Sequence, residues 1–148
     1  MYMHMYKLIQ NHPDFLLISK NPGVDFHKGE NALGLVQKIR EDHGITELYP
    51  LHRLDSMTSG LLLFAKNHDC AQQLALQFRN HSIDKFYIAL GGNHPHKKQG
   101  TVIGDMKKIR NGKWQICHTK ENPSITQFFS SGLGNGLRLF LLRILTGK

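Results

Sequence analysis

Leu51-His52-Arg53-Leu54-Asp55-Ser56-Met57-Thr58-Ser59-Gly60 runs directly into the apolar stretch Leu61-Leu62-Leu63-Phe64-Ala65. A polar loop crowded with an acid, a base, a guanidinium and hydroxyls thus leads into a buried strand, a common build for an active site because a rigid element holds a functional loop. Working outward, Phe15 to Ser19 reads as a second buried strand, closed by a turn at Asn21-Pro22-Gly23. Lys85 to Leu90 reads as a strand whose period of two puts Lys85, Tyr87 and Ala89 on one face. Weaker strands follow at Thr101 to Ile103, Trp114 to Thr119 and Ser124 to Ser131, broken by the hairpin signal Asn111-Gly112 and by Asn122-Pro123. Leu137 to Leu145 is a last strand, apolar on both faces apart from Arg138 and Arg143.

Two helices are expected. Ala32, Leu35, Val36 and Ile39 form one apolar stripe, with Asn31 as N-cap and Gly44 as the stop after Arg40 and His43. Ala71, Leu74, Ala75 and Phe78 form a second stripe between Asp69 and Arg79. Strands in runs with few helices predict an α+β fold, a mostly antiparallel mixed sheet with flanking helices. There is no internal repeat and no glycine-rich phosphate loop, so a nucleotide-cofactor domain is not expected.

The 148 residues suit one domain, 1–148, with enough chain for a core. Lys plus Arg is 19 and Asp plus Glu is 11, a net charge of +8 that favours a polyanionic partner over an acidic or neutral one. A basic soluble protein without such a partner is the competing reading of charge alone. Cys70 and Cys117 match no zinc or C-x-x-C spacing, and the chain reads as intracellular and reduced. His94-Pro95-His96 has no carboxylate or thiol to complete a metal site, so no metal is expected. Met1 to Lys7 does not resemble a signal peptide, and no run approaches the ~18 apolar residues of a membrane span.

Asp55 is a candidate nucleophile or general base, and equally a loop aspartate that accepts backbone hydrogen bonds. Arg53 offers a fixed fork of donors suited to phosphate or to a displaced base; a surface cation is the plain alternative. Thr58 and Ser59 suit caps for backbone donors, and Gly60 a turn or close backbone approach. His52 has no neighbour that would complete a hydrolase triad.

His52-Arg53-Leu54-Asp55-x-x-Thr58-Ser59-Gly60 resembles the signature of the RluA-type pseudouridine synthases at every fixed position. Pro13 to Gly23, with Lys20-Asn21-Pro22-Gly23 as a shifted turn, resembles the family's opening segment; Lys85-Phe86-Tyr87 resembles its Lys-x-Tyr motif; and Leu139 to Lys148 resembles the start of its final motif, with Lys148 in place of arginine. The resemblance implies the pseudouridine synthase catalytic fold without an S4 domain, acting as a cytoplasmic monomer on ribosomal or transfer RNA. It implies isomerisation of uridine to pseudouridine with no cofactor or metal, because substrate and product are isomers. Asp55 would be the essential carboxylate, Tyr87 the aromatic that stacks on the extruded base, and Lys148 the cation paired with Asp55. RNA contacts are expected at Arg53, His52, Thr58 and Lys85, with Lys97, Lys98, Lys107, Lys108, Arg110 and Lys113 as a basic stretch along the backbone. A doubly apolar strand at Leu137 to Leu145 is normally covered on both sides. The C-terminal part of the fold is therefore expected to be missing and turnover to be weak, leaving an RNA-binding remnant without activity as the alternative.

Overall fold

The computed structural model describes residues 4–25, 34–92 and 97–146, which fall into two compact units, Met1–Asn80 and His81–Lys148. The first unit carries β1 (Tyr6–Asn11), β2 (Phe15–Lys20), α1 (Leu35–His43), β3 (Tyr49–Pro50), β4 (Gly60–Ala65) and α2 (His68–Arg79). Its sheet has the order β1-β2-β4-β3, every pair antiparallel. Strand alternation makes its core: Leu16, Ile18 and Lys20 point inward from β2, and Leu62 and Phe64 from β4, with Leu16 opposite Phe64 and Ile18 opposite Leu62. Leu35 and Ile39 of α1 complete that layer with Leu48, Leu54 and Val24. Each such apolar side chain contributes about 1.5–3 kcal/mol on burial.

Gly34 is the N-cap of α1, and the expected cap Asn31 lies outside the described residues, as does Ala32 of the stripe. The other end is as expected: the Gly44 N–H closes the helix on the Arg40 carbonyl. α2 begins one residue earlier than its apolar stripe suggests, because the Asn67 side chain accepts from the Cys70 N–H at 2.8 Å and caps it. β1 is an edge strand with almost every residue exposed, so it carries no alternation by which a sequence pattern would reveal it.

The second unit carries β5 (Lys85–Gly91), β6 (Gln99–Gly104), β7 (Met106–Lys108), β8 (Trp114–Ile116), β9 (Ser124–Gly134) and β10 (Leu137–Ile144). β5-β10-β9-β6 form one antiparallel sheet, and β7-β8 a separate ribbon. The expected hairpin at Asn111-Gly112 is present: it joins β7 to β8 through a short 3-10 turn, Arg110–Gly112, closed where the Ile109 N–H donates to the Lys113 carbonyl. The tighter hairpin is elsewhere: Gly134 pairs with Leu137 across Asn135-Gly136, at φ +49° and +75°. Two consecutive left-handed residues are what a two-residue type I′ turn demands. That turn carries β9 beyond its expected end at Ser131 and sets β10 centrally between β5 and β9.

One face of this sheet brings together Phe86 and Ile88 of β5, Leu141 of β10 and Phe129 of β9, which are 58%, 73%, 45% and 55% exposed. The α+β architecture expected from the sequence is present, and every strand pairing among the described residues is antiparallel.

Candidate active site

The loop between β3 and β4 is held by its backbone and offers its side chains to solvent. Leu54 is buried and plugs it into the core. The Thr58 N–H donates to the Asp55 carbonyl at 3.0 Å, closing a turn whose first residue is Asp55. The Ser56 carbonyl accepts from the Gly23 N–H at 2.9 Å and from Lys20 Nζ at 2.8 Å. At the far end Gly60 enters β4 at φ +138°, a conformation that favours glycine, directly opposite Lys20 in the ladder.

His52 is bound into this frame. Its Nε2 accepts from the Leu63 N–H at 3.2 Å, and its ring lies 5.1 Å from that of Phe78. That nitrogen is occupied by the fold, so the imidazole braces the loop against β4 and α2. Thr58 closes the turn through its backbone N–H, and among the described residues its hydroxyl and that of Ser59 make no hydrogen bond, unlike the capping expected of them.

Asp55 and Arg53 behave differently. Their side chains are 87% and 68% exposed, and Arg53 Nη2 stands 4.0 Å from Asp55 Oδ1. An exposed pair at that distance contributes little to stability, so neither group is placed there by folding energetics. A free carboxylate and a free guanidinium on a rigid turn can act on a bound polyanion: the cation at a phosphate, the carboxylate at a nearby carbon or proton.

Beneath them sits the residue that the sequence pattern did not single out for chemistry. Lys20 is 0% exposed, and its Nζ donates to the carbonyls of Asn21 (3.1 Å), Val24 (3.0 Å) and Ser56 (2.8 Å). Burial pushes its ammonium below the ordinary lysine value, while the carboxylates of Asp25 and Asp55 act in the opposite direction. Its signal was the period of two, which carries the inward face of β2 from Leu16 and Ile18 onto a lysine.

Tyr87 and Lys85 lie in the second unit, half-buried on the same face of β5, with Tyr87 paired to Leu142 and Lys85 to Ile144. Lys148 lies outside the described residues, as does His94-Pro95-His96. Lys97, Lys98, Lys107, Lys108, Arg110 and Lys113 are all exposed. A shallow depression on the opposite face, lined by Phe86, Thr101, Phe129, Leu141 and Arg143, offers no free ionisable group, since Arg143 donates to Asp84 at 2.9 Å. Among the described residues no three His, Cys, Asp or Glu side chains cluster as metal ligands, and no helix is long and apolar enough to cross a membrane.

A clamped turn presenting an acid and a guanidinium, on an α+β scaffold of antiparallel sheets, agrees with what known proteins show. The family model for RNA pseudouridylate synthase matches residues 14–148. An uncharacterized RNA pseudouridine synthase of Haemophilus influenzae is 42% identical over 142 residues, covering 96% of this chain and 63% of that protein. The dual-specificity RNA pseudouridine synthase RluA of Pasteurella multocida is 34% identical over 121 residues, covering 77% of this chain and 53% of that protein. The human RNA pseudouridylate synthase domain containing 1 shares the fold, with a TM-score of 0.77 at 24% identity over 97% of this chain and 60% of its own. The chain belongs to the RNA pseudouridylate synthase family, of the RluA type. It spans about three fifths of the length of relatives such as the Haemophilus protein, 63%, and the human structure, 60%.

Proposed function

We propose that the protein isomerises uridine to pseudouridine in structured RNA, ribosomal or transfer, with Asp55 as the essential carboxylate. The reaction breaks the C1′–N1 bond, turns the uracil, and forms C1′–C5; the C5 proton is lost and N1 gains one, so no oxidant, cofactor or metal is consumed. The target nucleotide must leave its stack, at a cost of a few kcal/mol. Arg53 holds its place beside the displaced nucleotide and contacts phosphate, with His52, Thr58 and Lys85 as further RNA contacts. Tyr87 stacks on the extruded base, a contact worth about 1–3 kcal/mol. Lys148 is the cation of the family motif that serves the Asp55 carboxylate. The observation that carries this reading is the exposed Asp55 carboxylate on a backbone-clamped loop, inside the segment that the family model matches.

Asp55→Asn keeps the size of the side chain and removes its charge. It is expected to abolish pseudouridine formation, read by carbodiimide labelling and primer extension, while circular dichroism and RNA binding persist. Undiminished signal in the mutant would end the assignment. A second reading, RNA binding without turnover, draws on the exposed cations Lys97, Lys98, Lys107, Lys108, Arg110 and Lys113, which suit a phosphate backbone and call for no catalytic carboxylate. Wild-type chain that binds RNA but leaves no labelled uridine would select it.

A further inference from the structure

Residues 106–116, the β7–β8 ribbon with its turn, carry four cations and no acid. Residues 106–110 and 112–116 are all exposed, so these side chains build no core. Trp114 is 59% exposed, and burial therefore does not explain a tryptophan at this position. Single apolar residues on a surface need no explanation, but here Met106, Trp114 and Ile116 gather on one short cationic ribbon.

The register sorts the side chains. Met106 pairs with Ile116, Lys108 with Trp114, and Lys107 with Gln115. Directly opposed residues share a face and successive residues alternate, so Lys108, Trp114, Met106 and Ile116 lie on one face, with Lys107 and Gln115 on the other. Among the described residues the Trp114 ring makes no ring contact and its N–H no hydrogen bond, and Lys107, Lys108, Arg110 and Lys113 make no ion pair.

A two-stranded ribbon alone is marginally stable in water, yet this one is pinned at both ends. At its tip the Ile109 N–H donates to the Lys113 carbonyl at 2.8 Å. At its base the Asp105 N–H donates to the Thr119 carbonyl at 3.0 Å and the Cys117 N–H to the Asp105 carbonyl at 2.8 Å. The Asp105 carboxylate also accepts from the Glu121 and Asn122 N–H groups, at 3.1 and 2.9 Å. A Cβ at Gly104 would collide with the Cys117 carbonyl, so glycine is required where the chain enters the ribbon. A fixed arm thus presents a bare aromatic face with a cation directly opposite it.

Alternating phosphates and flat bases match that surface, and a single strand shows the base faces that a duplex hides. We propose that the β7–β8 ribbon is a second RNA site, in which Trp114 stacks on one unpaired base and Lys108 takes a phosphate beside it. It goes beyond the uridine chemistry assigned to Asp55: it selects RNA that offers an unstacked base to the ribbon as well as a target uridine.

Trp114 is the only tryptophan of the chain, so its fluorescence reports on this site alone. The probe is a single-stranded oligouridine of about ten nucleotides, within the span of one such binding surface, and the control is an abasic strand of the same length. Affinity is read separately by anisotropy of the labelled strand. Oligouridine is expected to quench Trp114 saturably, while the abasic strand binds more weakly and leaves the emission unchanged. Trp114→Ala should lose roughly five- to hundredfold in affinity, the scale of one base–aromatic stack, and Trp114→Phe should recover most of it. Lys108→Gln should lower the log–log salt slope by about 0.7, one phosphate contact to a single strand. No binding of oligouridine, saturation of the strand without quenching, equal quenching by the abasic strand, or unchanged affinity in Trp114→Ala would overturn the proposal. So would an emission change that follows protein concentration in the absence of RNA, since the ribbon would then be covered by a second copy. Failure of the Asp55 reading is separate: it shows as full activity in Asp55→Asn, while the quenching of Trp114 still decides whether the ribbon binds RNA.

Discussion

Replacing Gly60 by alanine separates backbone conformation from packing at the hinge of the Asp55 loop. Gly60 sits at φ +138°, and a Cβ built there meets nothing closer than Leu54 Cδ1 at 3.7 Å, an ordinary van der Waals contact. Overpacking therefore adds nothing, and the cost is conformational. A non-glycine residue held in this region costs on the order of 1–3 kcal/mol. Alanine also narrows the unfolded ensemble, which returns about 0.4–1 kcal/mol. The net expectation is a loss of about 1–2 kcal/mol, or a fall in Tm of roughly 3–8 °C for a chain of this size. Gly132→Ala is the control: its Cβ also meets nothing within 4 Å, but its φ is not in the left-handed region. The same chemical change there should be neutral or slightly stabilising. Thermal and urea denaturation followed by circular dichroism give both values. Equal stability of Gly60→Ala and wild type, or an equal fall in Gly132→Ala, would refute the assignment of the cost to φ.

Three further outcomes are expected. Asn67→Ala removes the cap that accepts the Cys70 N–H and a hydrogen bond to Asp14 Oδ1, so urea midpoints should drop by about 1 kcal/mol of stability, with Asn67→Ser recovering most of it. The hydrogen bond from Lys38, and less so that from the Tyr6 hydroxyl, holds the Asp42 carboxyl below the usual carboxylate value against the effect of burial. A depressed folded pKa gives stability that is present above the unfolded value and lost as pH falls through the folded one, so Asp42→Asn should flatten the acid limb of a stability–pH curve below about pH 4. RNA affinity should fall linearly on log–log axes as salt rises, since lysine and arginine contacts release counterions, and a salt-independent affinity would argue against a backbone-tracking surface.

Where the sequence was legible, apolar patterning made it so. The unbroken apolar runs Phe15 to Ile18 and Leu61 to Ala65 announced β2 and β4, while the structure buries Leu16, Ile18, Leu62 and Phe64 on one face of their sheet. β1 was not legible because an edge strand with five of its six residues exposed has no buried face to write into the sequence. The Asn-Gly pair at 135–136 is chemically the same hairpin signal as the one at 111–112. What separates them is the length and pairing of the flanking strands, which is tertiary information. At the loop, the residue types of Arg53 and Asp55 suggested chemistry and their exposure is compatible with it, whereas the bond by which His52 Nε2 accepts from the Leu63 N–H had no signal in the sequence. Lys20 was readable as the first residue of the family-like turn Lys20-Asn21-Pro22-Gly23, but not as a buried ammonium. Its purpose depends on three carbonyls brought together by two turns, and none of them is encoded by side-chain identity.

Under the proposed function, the weakness of the Arg53–Asp55 contact fits a site that its substrate completes. At 4.0 Å and largely in water, the two charges interact feebly and each stays solvated. RNA laid over the loop would exclude that water, and the same separation would then carry a much stronger interaction, directed by fixed groups in place of a mobile hydration shell. A pair that tightens only on binding cannot hold the loop in shape beforehand. Something independent of solvent must do so, and the groups available are the ones already buried: Leu54 in the core, the Thr58–Asp55 turn, and the Lys20 ammonium on the Ser56 carbonyl. On that proposal, orientation is fixed in the free protein at the main chain, while the electrostatic strength of the side chains is deferred until RNA arrives.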